Sequence, residues 1–477
     1  MAKSKFFFYL SLVFLLVTII AVLKPEFLVF RSEFLYLALF FILLSLSWKY
    51  FLFLALIFLS LWRVTVFSEA ELQVKKNFVF TQTYYYQAQV LEANKRLADW
   101  QLVVEPTNLP NFSGKILVFT PLYPEYQVND VLEISCKIFA PEKIITNGRS
   151  FSYDKYLAQN KIFAQCFRPQ IKKLNQTSNL SSFLKLRQYF WQNLNIYLRE
   201  PASGLAKAML LDDRGELTKE VKNDFARTGL SHLIAISGSH LVIIIWLVEA
   251  LLFACGLSRN QIFYLIIFTL FFYLALIGWP ASAGRSVLMA TVALLGPFLG
   301  RKVLSINNLL LSVVILTWLN PYALLYDIGF QLSFLAVLGL LFYSHYWQEK
   351  LSFLPSYFQE TLAVTIAAQT FTWPLIVYNF QTFSIVTFLA NLILLPLFPA
   401  LLGFGLLTMI FGHWSIVYIF SWPLFLLFKL LVEVNHFLAS FSWSAYPVNF
   451  FNFPLFIFSL SMIFIFTYYF KAHKKIS

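Results

Sequence analysis

Four ionisable side chains sit at similar depths inside long apolar runs of this sequence. They are His232 and His240 in LSHLIAISGSHLVII, Arg285 in GWPASAGRSVLMA, and Asp327 in YDIGFQLSFLAVLGLL. Charge in hydrocarbon is costly unless paired or wetted, so the four are expected to line a polar cavity open at one membrane face. The alternative is structural, with Arg285 and Asp327 forming one ion pair that holds two helices together. Gln331, Ser333 and Asn391 add uncharged polar groups to the apolar segments. In a helix over 232–254, His240 lies about eight residues in, roughly 12 Å below the start. Ser237-Gly238-Ser239 before it lets backbones approach closely and could open the helix locally. Pro374, Pro396, Pro399 and Pro423 free carbonyls within other apolar runs and bend them.

The sequence shows no H-x-H-x-D-H or H-E-x-x-H metal spacing, no G-x-x-x-x-G-K-[ST] phosphate loop and no nucleophile elbow. No metal, cofactor or enzyme activity is expected, and the polar residues suit a passage better than a catalytic centre.

The elements that must position them are membrane helices. Hydrophobic residues make up 59% of the 477 and charged residues 12%, and 55 phenylalanines are more than a soluble core could absorb. A water-soluble enzyme is excluded. Apolar stretches of about 17 to 25 residues, enough to cross a ~30 Å hydrocarbon core, recur along the chain. Helices are expected at about 6–23, 34–47 and 50–66, with Trp48-Lys49-Tyr50 as a charged hinge. Nine more are expected at about 232–254, 261–278, 283–300, 303–319, 326–344, 358–378, 384–411, 415–439 and 452–470. The first could pass for a signal peptide but lacks an A-x-A-like cleavage site, and is taken as retained.

Lys3 and Lys5 inside, followed by three crossings, place residue 67 outside. The loops at Arg259, at Arg301 and Lys302, at Lys350, and at Lys471, Lys474 and Lys475 then fall inside, whereas GWPASA, NPY, NFQTF and SWSAYPVN carry no Lys or Arg. This alternation predicts about twelve spans with both termini in the cytoplasm.

Residues 67–175 differ in kind, with YYYQAQVLEA, WQLVVE, GKILVFT and DVLEISCKIFA separated by Pro, Asn and Gly turns. About five short strands predict a small β-barrel. Cys136 and Cys166 lie in this segment and either pair across an oxidising compartment or remain buried thiols. From Leu180 to Leu198 an apolar stripe at helical spacing predicts an interfacial helix, and residues 204–229 read as two short helices before the membrane is re-entered. Lys and Arg number 36 against 23 Asp and Glu, a formal net charge of +13. That excess suits lipid headgroups or nucleic acid, and positive-inside anchoring accounts for about half of it.

ARTGLSHLIAISGSHLVII, Ala226 to Ile244, strongly resembles the R-x-T-G-x-x-H-L-L-A-I-S-G-x-H signature of the ComEC family of DNA-uptake channels. MLLDDRGELTKEV resembles its L-L-L-G-D-R segment through Asp213 and Arg214, and GWPASAGRSVLMA its S-x-x-R-A-x-x-M-A helix through Arg285. YDIGFQLSFLAVLGLL matches a D-x-G-F-x-L-S-F-x-A-V-L-G-L helix through Asp327, Phe330, Ser333 and Gly339, and ANLILLPLFP resembles an A-N-L-L-x-x-P segment through Asn391. NGRSFSYDKYLAQNKIFAQC resembles the run closing the family's OB-fold domain, so the matches span about 145–400. Where the family often reads G-L-H-V-G, this chain has Gly238-Ser239-His240-Leu241-Val242 and lacks the second glycine. Many members continue into a metallo-β-lactamase-like domain, whereas this sequence stops at Ser477, so the resemblance carries no nuclease activity over.

The resemblance implies a polytopic α-helical membrane protein with an inserted extracytoplasmic OB-like β domain, importing single-stranded DNA across the bacterial cytoplasmic membrane. Lys95, Arg96, Trp100, Lys115, Lys137, Lys143 and Arg149 would guide the strand by charge and stacking. His232, Ser237, Gly238, His240, Arg285, Asp327, Gln331, Ser333 and Asn391 would line the passage. Partners would be the DNA, the bilayer, and a separate receptor, ATPase or helicase, and nuclease, with an oligomer allowed. Rival readings are a secondary transporter of a small anion, for which Glu249 is one of few deep carboxylates, and an envelope scaffold. The topology has a direct test. A cysteine introduced near Asn108 should react with an impermeant thiol reagent in intact cells once any outer membrane is permeabilised; protection until lysis would invert the arrangement.

Overall fold

The protein is described by a computed structural model over residues 3–23, 31–45, 50–146, 149–175, 182–298, 300, 306–448 and 450–473. Trp48 and Lys49 of the expected hinge, Arg301 and Lys302, Lys474 and Lys475, and Asn147 and Gly148 lie outside the described residues. The chain forms two compact units, one of Met1–Ser181 with Asn307–Gln331, the other of Ser182–Ile306 with Leu332–Ser477.

Unit 1 opens with helices α1 (Lys3–Leu23), α2 (Arg31–Ser45) and α3 (Phe51–Asn77). The apolar run alone places the end of the third helix at 66, but α3 continues to Asn77. Its last turns are built from Glu, Gln and Lys, which lose little entropy in a helix, and Ser68, Glu71 and Val74 form a buried stripe. Then come β1 (Thr83–Lys95), β2 (Trp100–Pro106), β3 (Lys115–Thr120), β4 (Val131–Phe139), the hairpin β5 (Ile144–Thr146) and β6 (Arg149–Phe151), α4 (Tyr153–Ala158), β7 (Ile162–Phe167) and β8 (Gln170–Asn175).

The sheet order β1-β2-β3-β7-β4 closes on itself because β1 also pairs with β4, giving a five-stranded barrel, and β8 lies opposite β1 on the edge of β4 that β7 also uses. β1 serves both neighbours by length: Thr83–Gln89 pairs with β4 and Ala88–Lys95 with β2, with a bulge between Val90 and Glu92 where the strand turns the corner. Alternation sends Tyr86, Ala88, Val90, Leu132, Ile134 and Ile138 inward. The thinnest seam is β4 to β7, where only Ile138 and Phe139 pair, and there the Cys136 and Cys166 sulfurs are bonded.

Unit 2 runs through α5 (Ser182–Tyr197), α6 (Ala202–Leu211), α7 (Lys219–Arg227), α8 (Ser231–Ile234), α9 (Gly238–Ala254), α10 (Arg259–Leu276) and α11 (Ala281–Phe298). The chain then passes through α12 (Ile306–Leu319) and α13 (Ala323–Tyr326) into α14 (Ile328–Lys350). It finishes with α15 (Ser356–Phe380), β9 (Thr382–Ser384), α16 (Thr387–Leu394), α17 (Leu397–Phe411), α18 (Val417–Ser440), β10 (Ala445–Pro447) and α19 (Phe453–His473).

Among the described residues, six helices are long and apolar enough to cross a membrane: α1 from Lys5, α3, α10, α14, α15 and α18. The pair α16 and α17, bent by 50°, makes a seventh if it is one span, and Pro396 stands at the break. These helices are apolar on both faces. α18 buries Leu424, Phe428 and Leu431 while Tyr418, Trp422, Leu426 and Leu430 form an exposed ridge at four-residue spacing, which suits lipid rather than water. The amphipathic α5 packs against α17 and α6, with Asn193 and Leu194 fully buried.

The seam makes a prediction. Non-reducing peptide mapping should recover a Cys136–Cys166 linked peptide, and reduction should lower barrel stability by about 3–4 kcal/mol, the loop-closure value for a bridge of this span.

Candidate functional site

The helix expected over 232–254 is two pieces. Ala235 and Ser237 take extended conformations between α8 and α9, so the helix restarts at Gly238. Ser237 is the N-cap of α9 and His240 its third residue. Ser237 N donates to His240 Nδ1 at 3.2 Å, and Ser237 Oγ lies 3.0 Å from Nδ1 and 2.7 Å from Ser239 Oγ. His240 thus sits in the first turn of α9 rather than two turns into one continuous helix. Nδ1 accepts, so the ring proton resides on Nε2, which has no hydrogen-bond partner among the described residues. The ring is fully buried and meets Phe398 edge to face at 4.7 Å. His232 is exposed, with Nδ1 3.2 Å from Gly229 O.

The corner that leads into α8 is held by the residues that precede it. Arg227 donates to Ser444 Oγ at 3.2 Å and Phe441 O at 3.0 Å. Thr228 Oγ1 donates to the buried Asn435 Oδ1 at 2.7 Å, and Thr387 Oγ1 donates to Thr228 O at 3.1 Å. Gly229 has φ +75°, and a Cβ there would lie 2.0 Å from Thr387 Oγ1. The R-x-T-G part of the signature is therefore structural, tying the α7–α8 corner to α16, to α18 and to the loop before β10. That loop leads into a ribbon in which β10 pairs with β9.

Other expected residues are carried by other elements. Arg285 lies in the second turn of α11, buried. Asn391 is buried in α16 and donates to Thr365 Oγ1 at 3.4 Å. Asp327 belongs to unit 1, where it caps α14 by accepting from Phe330 N at 2.9 Å; Gln331 one turn on donates to Leu324 O and Leu325 O, both at 3.0 Å. Ser333 is half-buried in α14.

Asp213 accepts from Trp191 Nε1 at 3.0 Å and from Gly215 N at 3.1 Å, and Arg214 pairs with Asp212 at 2.7 Å. Behind this turn lies a residue that motif and spacing do not single out. Lys207 is fully buried in α6, bonded to Glu216 and to Asn195, with its ammonium 4.1 Å from the Trp191 ring centre. A lysine inside the apolar run GLAKAMLL is the local signal for it. Glu71 is hidden from the sequence because the apolar run stops before it, whereas the helix does not. It is 3% exposed and gathers Lys75 at 2.7 Å, Lys155 at 2.8 Å and the Tyr322 hydroxyl at 2.8 Å. Burial, ahead of the neighbouring carboxylate, pushes the Tyr322 phenol well above its ordinary pKa, so it is the donor.

On the barrel, Lys95 pairs with Glu125 at 2.8 Å, and this bond holds the Glu125 carboxyl below its ordinary pKa. Trp100 is a correction. Its ring is buried and its N–H donates to Leu122 O at 3.0 Å, so it is a core residue with no open face for a base. Arg96 and Lys137 are exposed, Lys115 is half-buried, Lys143 is exposed ahead of β5, and Arg149 opens β6 with its side chain outside the described residues.

Span-length helices apolar on both faces, together with a closed barrel, define a polytopic membrane protein with a folded β domain. Residues 209–473 match the Competence protein family. That is more than half of the chain, and the chain belongs to this family, the ComEC family whose motifs it carries. It is 28% identical to ComE operon protein 3 of Bacillus subtilis over 250 residues, 52% of this chain and 32% of that protein. It is 26% identical over 289 residues to an uncharacterized protein of Aquifex aeolicus, 60% of this chain and 64% of that protein. The chain thus spans about a third of the Bacillus relative and under two thirds of the Aquifex one. No solved structure matches it.

The corner at Gly229 yields a stability test. Gly229→Ala should cost roughly 1–3 kcal/mol through overpacking against Thr387, visible as a lower melting temperature of the solubilised protein. Gly284→Ala, where an added Cβ meets nothing within 4 Å, should be neutral or stabilising.

Proposed function

We propose that this chain forms the passage by which a single DNA strand crosses the bacterial cytoplasmic membrane during natural transformation. The observation that carries the reading is membership of the Competence protein family over 209–473, the stretch that contains both broken helices. A role in DNA uptake follows from the family, and the passage is the function that the broken helices, small residues and buried polar groups suit best.

Twelve spans result when the seven long or paired candidates are joined by the shorter apolar helices α2, α9, α11, α12 and α19. The ribbon β9–β10 supports the sidedness, since it pairs two lysine- and arginine-free loops expected on the outer face, and Arg227 is bonded beside it. In this arrangement the barrel, read as an OB fold, stands outside and meets the strand first, and the bundle around His240 and Arg285 conducts it. The chain is a conduit and not a catalyst. Strand degradation and the driving force come from a separate nuclease and a cytoplasmic ATPase or helicase, with a receptor delivering the DNA.

Cells lacking the protein should bind labelled DNA at the surface but fail to internalise it; normal internalisation would end the reading. Within the protein, Asp327→Asn keeps a capping side chain and removes the charge. It should abolish internalisation with protein abundance and surface binding unchanged; His240→Ala should abolish it too, measured per amount of protein because that ring also packs and caps α9. Normal uptake by Asp327→Asn would reduce that residue to a helix cap.

A further inference from the structure

Three aromatic rings meet on the barrel wall at the ends of neighbouring strands. Phe119 of β3 stands opposite Phe167 of β7 in the parallel register, and Phe139 ends β4 on the other side of β7. The Phe119 and Phe167 rings stack with centres 5.1 Å apart and planes within 4°, and Phe139 leans on Phe167 at 6.1 Å. Strand alternation explains the placement. The neighbours Cys136 and Cys166 point inward and are bonded, so Lys137 and Phe167 point outward over the bond. Phe167 is 50% exposed, so its ring stays open to solvent beside its two neighbours.

Each end of the row carries a cation. The exposed Arg96 lies 5.6 Å from the Phe119 ring centre, and the exposed Lys137 lies 5.6 Å from that of Phe139. Alternating rings and cations complement one class of ligand. Unpaired bases offer faces to stack on and phosphates to neutralise, whereas a duplex hides its base faces and an acidic peptide makes no use of the rings.

We propose that Phe119, Phe167 and Phe139 form a stacking platform for single-stranded DNA, with Arg96 and Lys137 holding the flanking phosphates. The site rests on the uptake reading only for the identity of its ligand as DNA. It replaces the buried Trp100 as the stacking surface, and the Cys136–Cys166 bond beneath it fixes the two strands that carry Phe139 and Phe167.

The test uses the full chain in lipid nanodiscs and the anisotropy of a fluorescein-labelled oligothymidylate over a salt series. Wild type should bind the oligonucleotide more tightly than a duplex of equal length, and polyglutamate should compete poorly. Phe167→Leu retains apolar contact with Phe119 and Phe139 but removes the ring. It should weaken binding about ten-fold, while Phe167→Trp should restore it. The double variant Arg96→Gln, Lys137→Gln should flatten the dependence on salt. Binding by Phe167→Leu equal to wild type, equal affinity for duplex, effective competition by polyglutamate, or no oligonucleotide binding by wild type would each overturn the platform. These outcomes are separate from the uptake reading. A deletion strain that fails to import DNA while Phe167→Leu binds normally leaves uptake standing without the platform. A deletion strain that imports DNA normally while binding depends on Phe167 does the reverse.

Discussion

At the Thr228–Gly229 corner of unit 2 the backbone passes so close to Thr387 that no side chain fits at residue 229. Inside an apolar bundle every freed carbonyl and hydroxyl needs a partner within the protein. At this corner the Thr228 carbonyl is met by Thr387, its hydroxyl by Asn435, and the Arg227 guanidinium by Phe441 O and Ser444. These bonds fix the chain just before α8, and after α8 the backbone leaves the helix at Ala235 and begins again at Gly238. The capping pair of Ser237 and His240 exists only because of that interruption. An uninterrupted helix would have used the Ser237 N–H in its own ladder and turned His240 into one more residue along a face.

The buried charges divide by their surroundings. Lys207 and Glu71 each have several partners within their own unit, the arrangement a buried ion needs to offset its desolvation. Both serve the fold, one bracing the turn that holds Asp213 and the other joining the end of α3 to α4 and Tyr322. His240 differs, with one ring nitrogen capping a helix and the other without a hydrogen-bond partner among the described residues. The imidazole is thus a cap on one edge and a buried donor on the other, enclosed beside Phe398.

The barrel shows how a period of two generates core and surface together. One parity of β4 builds the interior from Leu132, Ile134, Cys136 and Ile138, and the other sets Lys137 and Phe139 on the wall. The same step along β7 buries Cys166 and exposes Phe167. A covalent bond inside and an aromatic row outside are therefore neighbours by geometry, and the seam with the fewest backbone pairs is the one the disulfide closes.

Apolar runs of span length were legible in the sequence because hydrocarbon thickness sets helix length, and the four principal strands because short strand-forming runs stand between Pro, Asn and Gly turns. The family was legible through spaced motifs from Asp213 to Asn391. Other features were decided only by tertiary contacts. The corner at 227–229 that precedes the helix break is fixed by Thr387, Asn435 and Ser444, more than 150 residues away in sequence. The end of α3 depends on a carboxylate whose partners come from α4 and from the segment before α13. Trp100 and Phe167 are both aromatics on short strands, and nothing local tells that one faces the core and the other the outside. That difference arises when β1 bends to pair with both β2 and β4, because closing the sheet gives each strand an inner and an outer side.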